Sequence, residues 1–230
     1  MNIKIVSAKL NRGAILKSLS NPPYLQVALD IPDIEKVKRI VSELPKSEKI
    51  ILEAGTPLVK MYGCGVVSEL RKVRDAFIVA DLKTLDVGAL EARIACEGKA
   101  DGAVVSGLAF PLTIKEFVEE ARRVGVCSFV DMMNVPNPLK VLKDAGALPD
   151  VVLLHRGIDA ELSSKHAWGY LKGIKEKLRG KALVGIAGGL ELEQVKKSLQ
   201  NGADVVVVGR YITKSSDVAS AANSILELMR

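Results

Sequence analysis

From residue 24 onward the chain alternates between short β-branched or otherwise apolar runs and longer segments whose apolar residues recur at every third and fourth position. Eight runs predict strands: 24–30 (YLQVALD), 49–53 (KIILE), 76–83 (AFIVADLK), 102–108 (GAVVSGL), 127–133 (CSFVDMM), 150–155 (DVVLLH), 182–188 (ALVGIAG) and 204–210 (DVVVVGR). The intervening stretches, such as 113–125 (TIKEFVEEARRVG) and 191–202 (ELEQVKKSLQNG), carry the helical period and close on glycine. Strand and helix in strict alternation predict a parallel sheet. Eight such units in 230 residues, near the ~250 typical of the fold, predict an α/β protein with one closed (β/α)8 TIM barrel. An open doubly wound sheet is the alternative, and no GxGxxG follows the first strand to favour it. Residues 11–20 predict one extra N-terminal helix. The expected organisation is a single domain over 1–230, with an N-terminal extension at 1–23 and the barrel at 24–230.

Composition narrows the picture. At 48% hydrophobic and 26% charged residues, the chain is too apolar to be disordered and too long to depend on disulfides. Its 33 basic and 27 acidic residues leave a net charge of +6, which suits an anionic ligand such as a phosphate. The basic residues are dispersed and only four Phe, four Tyr and one Trp are present, so no nucleic-acid partner is expected. Cys64, Cys96 and Cys127 are odd in number and form no C-x-x-C pair, which speaks against a zinc site and for a reducing cytoplasm. No stretch approaches the ~18 apolar residues of a membrane span, and the first ten residues lack the core of a signal peptide. A soluble, unprocessed cytoplasmic protein with no membrane partner is expected.

In a closed parallel barrel the C-terminal strand ends face one pocket, and here they are unusually polar. Asp30 ends the first strand, Glu53 the second, Asp81 and Lys83 the third, Asp131 the fifth and His155 the sixth; Gly188 and Gly189 follow the seventh, Gly209 and Arg210 the eighth. Each unpaired buried charge costs several kcal/mol, so this gathering implies a metal, a ligand or both. The sharpest motif is D-x-K-x-x-D at Asp81, Lys83 and Asp86. Residues two apart on a strand share a face, which sends Asp81 and Lys83 inward, with Asp86 opening the next loop or helix. The blander reading is an internal salt bridge with Asp86 as a helix N-cap. His155 is the side chain best suited by ordinary pKa to carry a proton near neutrality; a hydrogen-bonded core imidazole is its plain alternative. His166 reads as surface. Glycines after strands seven and eight, with the Arg210 guanidinium beside them, fit a phosphate site.

These motifs, in order, resemble the orotidine 5′-phosphate decarboxylase suprafamily: LQVALD, EAGTPL, ADLKTLDVG, VDM, LHRGID, IAGG and VVGR. Within it the chain is most similar to the 3-hexulose-6-phosphate synthase branch, in its archaeal form. The resemblance implies a Mg²⁺-dependent aldol interconversion of D-arabino-3-hexulose 6-phosphate with D-ribulose 5-phosphate and formaldehyde through an enediolate, with Mn²⁺ as a possible substitute. It implies Glu53 and Asp81 as metal ligands, Lys83 as a second positive charge, Asp30 and Asp131 as pocket residues, and Gly188, Gly189, Gly209 and Arg210 as phosphate binders. Asp86 would charge-balance a lysine of a partner subunit, so a homodimer with shared sites is implied.

Ile158 stands where the sugar-acid decarboxylase branch carries an arginine, which argues against that activity. The loop of Phe110, Pro111 and Leu112 is more apolar than expected, which leaves its substrate contacts open. Some archaeal relatives fuse this domain behind a formaldehyde-activating enzyme; no segment of that length precedes Tyr24, so only the synthase half is expected. The rivals are an orotidine 5′-phosphate decarboxylase, to which Glu53 is ill suited, a ribulose-phosphate epimerase, whose second metal-binding histidine is missing, and a sugar-phosphate-binding protein without turnover.

Overall fold

The computed structural model describes residues 19–157, 168–178 and 180–230. Strands β1 (Tyr24–Leu29), β2 (Ile50–Ala54), β3 (Phe77–Thr84), β4 (Gly102–Ser106), β5 (Cys127–Asp131), β6 (Val151–His155), β7 (Leu183–Ala187) and β8 (Val205–Val208) pair in sequence order. All pairings are parallel, and β8 returns to β1 to close the barrel. The expected strands therefore all form, and the closed barrel replaces the open-sheet alternative. The helix expected over 11–20 lies outside the described residues except for Leu19 and Ser20, as do Ile158 and His166.

Ten helices are described: α1 (Ile34–Glu43), α2 (Thr56–Tyr62), α3 (Val66–Val73), α4 (Gly88–Glu97), α5 (Pro111–Val124), α6 (Pro138–Ala145), α7 (Trp168–Leu178), α8 (Leu192–Gln200), α9 (Arg210–Thr213) and α10 (Val218–Glu227). Their starts follow local chemistry. Asp33 caps α1 by accepting from the Lys36 N–H at 3.0 Å, a contact of the kind that contributes about 1 kcal/mol. Proline occupies the first turn of α2, α5 and α6, where its missing N–H costs nothing. That is why α5 begins two residues earlier than its hydrophobic period alone suggests. Its buried Ile114, Phe117, Val118 and Ala121 recur at helical spacing and seat it on the sheet. No described helix is long and apolar enough to cross a membrane.

Two apolar layers result from strand alternation. One face of each strand packs beneath the helices, with Leu25, Leu52, Ile78, Val105, Val130 and Val206 fully buried there or nearly so. The other fills the barrel with Tyr24, Ile51, Val79, Val104, Phe129, Leu153 and Val207. Below this interior a repeated device starts the strands. Asp101, Asp150 and Asp204 each precede an even-numbered strand, and their carboxylates accept from Ile78, Ser128 and Val184 N–H of the preceding odd one at 2.8–2.9 Å. Backbone donors that a strand start would leave unpaired are thereby satisfied.

Candidate active site

A cavity of about 690 Å³ opens at the C-terminal end of the barrel. Asp30, Glu53, Asp81, Lys83, Asp131, His155, Gly188, Gly189, Gly209 and Arg210 all line it. The structure thus brings together every expected site residue except Asp86, which is exposed and lines no part of its own chain's cavity. Nor does Asp86 cap α4: Val87 holds that position, with φ +48°.

Lys83 enters the cavity by a route simple alternation does not foresee. Pairing of β3 with β4 shifts register between Ala80 and Thr84, and Lys83 has φ +44°, a left-handed conformation that costs a non-glycine residue about 1–2 kcal/mol. The irregularity aims its ammonium at two acids: Asp81 Oδ2 at 2.5 Å and Asp131 Oδ2 at 3.2 Å. Burial would favour the neutral amine, but the Asp81 and Asp131 charges outweigh it and hold Lys83 protonated well above the ordinary lysine range.

Asp131 is the hub on the β5–β6 side. Its Oδ2 also accepts from His155 Nδ1 at 2.7 Å, and its Oδ1 from the Met133 N–H at 2.8 Å. A carboxylate only accepts, so Nδ1 carries the hydrogen and Nε2 is the ring nitrogen left for another partner. Burial pushes the Asp131 carboxyl up, but the His155 hydrogen bond, the neighbouring positive charges and the Met133 N–H together bring it below the usual carboxylate range.

The β1–β3 side is different, because it has more acid than base. Glu53 is buried, accepts from Gln26 Nε2 at 2.5 Å, and has its carboxyl pushed well up by desolvation and then by Asp81 and Asp30. Asp30 keeps one flank in solvent, yet its carboxyl is pressed onto Gly55, where an added Cβ would lie 2.1 Å from Oδ1. Partial burial and the Asp81 charge raise its pKa as well. Asp81 Oδ2 takes bonds from both Lys83 and Thr56 Oγ1, the latter at 2.7 Å, while its buried Oδ1 has no partner.

Two mutually repelling carboxylates and an orphaned oxygen fit a hard divalent cation, which is commonly held by one or two carboxylates with retained waters. Among the described residues no group of three or more His, Cys, Asp or Glu side chains forms a fuller ligand cage. Glu53 and Asp81 are therefore the residues suited to hold Mg²⁺.

Across the mouth, Gly188 adopts φ +98°, and a Cβ there would strike the Arg156 carbonyl oxygen at 1.8 Å, so only glycine permits this turn. With Gly189, Gly209 and Arg210 it forms the low, basic wall. Lys36 and Lys214 also line the cavity; sequence reasoning missed them because nothing in their local pattern marks them as rim residues. Gln26, Gly55 and Thr56 were missed too, although Gly55 and Thr56 lie within the quoted EAGTPL motif.

A closed (β/α)8 barrel with acids, lysines and one histidine gathered above an apolar interior defines a TIM-barrel enzyme class whose chemistry sits on strand-end side chains. The chain belongs to the orotidine 5′-phosphate decarboxylase / HUMPS family, which matches residues 23–225. It is 49% identical over 221 residues to the bifunctional enzyme Fae/Hps of Methanocella arvoryzae, covering 95% of this chain and 56% of that one. The corresponding enzyme of Methanospirillum hungatei is 51% identical over 216 residues, covering 94% and 55%. The chain thus spans about half the length of the curated relatives it matches. Among solved structures, 3-hexulose-6-phosphate synthase from Salmonella typhimurium is similar with a TM-score of 0.80 and 29% identity over 90% of this chain and 98% of that one. KGPDC from Streptococcus mutans shares the fold with a TM-score of 0.78 at 24% identity, covering 90% and 96%.

Proposed function

We propose that this chain is a carbon–carbon lyase that interconverts D-arabino-3-hexulose 6-phosphate with D-ribulose 5-phosphate and formaldehyde in a Mg²⁺-dependent aldol reaction. The observation that carries the proposal is the division of one cavity into the closely set acids Glu53 and Asp81, a Lys83–Asp131–His155 relay, and a glycine-rich basic wall. The names of the Fae/Hps relatives and of the synthase structures support the same reading.

In the synthetic direction a proton leaves the carbon beside the ketone of ribulose 5-phosphate, and the resulting enediolate forms a bond to the formaldehyde carbon. Formaldehyde oxygen then takes up a proton, so the sum conserves every atom. His155, with its Nδ1–H fixed on Asp131, presents Nε2 as the proton carrier. Lys83 places a fixed positive charge where the enediolate oxygens develop theirs. A Mg²⁺ held by Glu53 and Asp81 would add Lewis-acid stabilisation of that charge. Gly188, Gly189, Gly209 and Arg210 bind the phosphate and so hold the sugar in register with these groups, while Asp30 meets its hydroxyls.

The working unit is a homodimer. Helices α4 and α5 pack together, and the loops entering them expose Leu85, Val87, Leu108 and Phe110, the last at 72%. A patch of such side chains is what a partner surface covers. Asp86, flanked by Leu85 and Val87, would then face a lysine of the second copy. The Phe110 loop belongs to that surface and lines no part of its own cavity.

Formaldehyde consumption by purified protein with D-ribulose 5-phosphate tests the proposal. Loss that requires Mg²⁺ and stops in EDTA is expected. A folded protein that binds the sugar phosphate and leaves formaldehyde untouched would refute it and favour a binding protein.

A further inference from the structure

Gln26 lies on the inner face of β1, one step below Ala28 and beside β2, and is wholly buried. The barrel interior around that level is otherwise built from Tyr24, Ile51, Val79 and Val205. A primary amide is costly there, because its Oε1 has no hydrogen-bond partner, and an unmet buried acceptor costs about 1–3 kcal/mol. An aliphatic side chain would carry no such cost. What the amide does make is one short bond, from Nε2 to Glu53 Oε2 at 2.5 Å.

That bond has a counterpart. Asp81 Oδ2 is held by Thr56 and Lys83, while Oδ1 stays without a partner. Each of the two carboxylates therefore has one oxygen tied back and the other left over, on neighbouring strands of one cavity wall. A flexible glutamate side chain without a tether would sample several rotamers. A cation that prefers near-ideal octahedral geometry gains from having that choice made beforehand.

We infer that Gln26 is a positioning residue for Glu53, fixing its Oε2 to the barrel interior so that Oε1 is offered, with Asp81 Oδ1, to a divalent cation. The inference rests on the lyase reading above and deepens it.

The test compares wild type with Gln26→Met, which keeps the length and volume and removes the donor. Mn²⁺ and inorganic phosphate affinities are measured separately by calorimetry on the full chain. Mn²⁺ binding is expected to weaken about 10–100-fold, the usual effect of losing a residue that orients a metal ligand, while phosphate affinity on the β7–β8 side stays unchanged. Equal Mn²⁺ affinity in the two proteins would overturn the inference and leave the lyase reading standing. Parallel weakening of Mn²⁺ and phosphate would also overturn it, since that marks a general disturbance of the barrel. A wild-type protein that binds no Mn²⁺ would overturn both readings. Should Gln26→Met fail to fold, Gln26→Asn, an amide too short to reach Glu53, carries the same expectations.

Discussion

Glu53→Gln should make the cation-free protein more stable, although it removes a proposed metal ligand. Glu53 is 7% exposed and shares its wall with Asp81 and Asp30, whose charges raise its pKa after desolvation has already done so. Two carboxylates 4 Å apart repel by about 4 kcal/mol at an effective dielectric of 20, and Lys83 offsets part of that. Glutamine is isosteric, still accepts from Gln26 Nε2, and removes the negative charge beside Asp81 and Asp30. The net gain is about 1–3 kcal/mol, or roughly 2–10 °C in Tm for a chain of this size.

The pH dependence fixes the sign. Glu53 has a folded pKa above its unfolded value, so wild type is at its best relative to the glutamine variant below the unfolded carboxylate pKa of about 4.3. It loses ground as pH rises through the folded pKa. The advantage of Glu53→Gln in EDTA should therefore be small in acid and grow as pH rises through the raised folded pKa of Glu53. If Glu53 and Asp81 hold Mg²⁺, saturating metal should erase most or all of that advantage, because a ligand at 100 times its Kd adds about 2.7 kcal/mol to wild type and little to the variant. Scanning calorimetry at a series of pH values, in EDTA and in Mg²⁺, reads all of this. A variant less stable than wild type in EDTA at pH 7.5, or an advantage that does not shrink in acid, would refute the account of this wall.

Three further outcomes are expected. Asp150→Ala strands the Ser128 N–H and hydroxyl, both now bonded to Asp150 Oδ2, and should cost about 2–5 kcal/mol in urea denaturation with phosphate affinity unchanged. Asp131→Asn removes the anion that fixes His155 and pairs with Lys83; turnover should fall about 10²–10⁴-fold, measured as kcat for formaldehyde consumption, with the barrel still folded by circular dichroism. Phe110→Asp places a charge in the exposed α4–α5 patch; if that patch is the proposed dimer surface, sedimentation should show a dimer for wild type and monomer for the variant, with activity lost in step through Asp86.

Strand count, order and closure were legible in the sequence because each strand carries its own apolar run, and the barrel follows from repetition. Strand-end chemistry was legible for the same reason: once 76–83 and 127–133 are strands, Asp81, Lys83 and Asp131 must fall at one end. Contacts across strands were not. Nothing local to Gln26 says that it reaches Glu53, and nothing local to Thr56 says that it reaches Asp81, since both bonds join residues at least 25 positions apart. The left-handed Lys83 and Val87 were equally hidden, because neither lysine nor valine advertises positive φ in the way glycine does. Asp150 and Asp204 open predicted strands and Asp101 directly precedes one, but nothing local shows that each carboxylate reaches the preceding strand's N–H.

The opposite pKa directions within one cavity follow from how the barrel deals out its charges. Asp131 meets Lys83, His155 and a backbone N–H, which together outweigh burial and lower its pKa; it can stay an anion throughout a catalytic cycle and keep the imidazole oriented. Glu53 meets a neutral amide, two other acids and the more weakly felt Lys83 charge, and burial with the two acids outweighs the rest, so its charge is opposed. Lys83, already held by Asp81 and Asp131, lacks the reach in charge to satisfy both walls. The Asp131 side thus balances its own charges, whereas the wall formed by β1, β2 and β3 carries more acid than base. A divalent ion bound between Glu53 and Asp81 would relieve their repulsion, and for the same reason its affinity should fall steeply as pH drops and Glu53 takes up a proton.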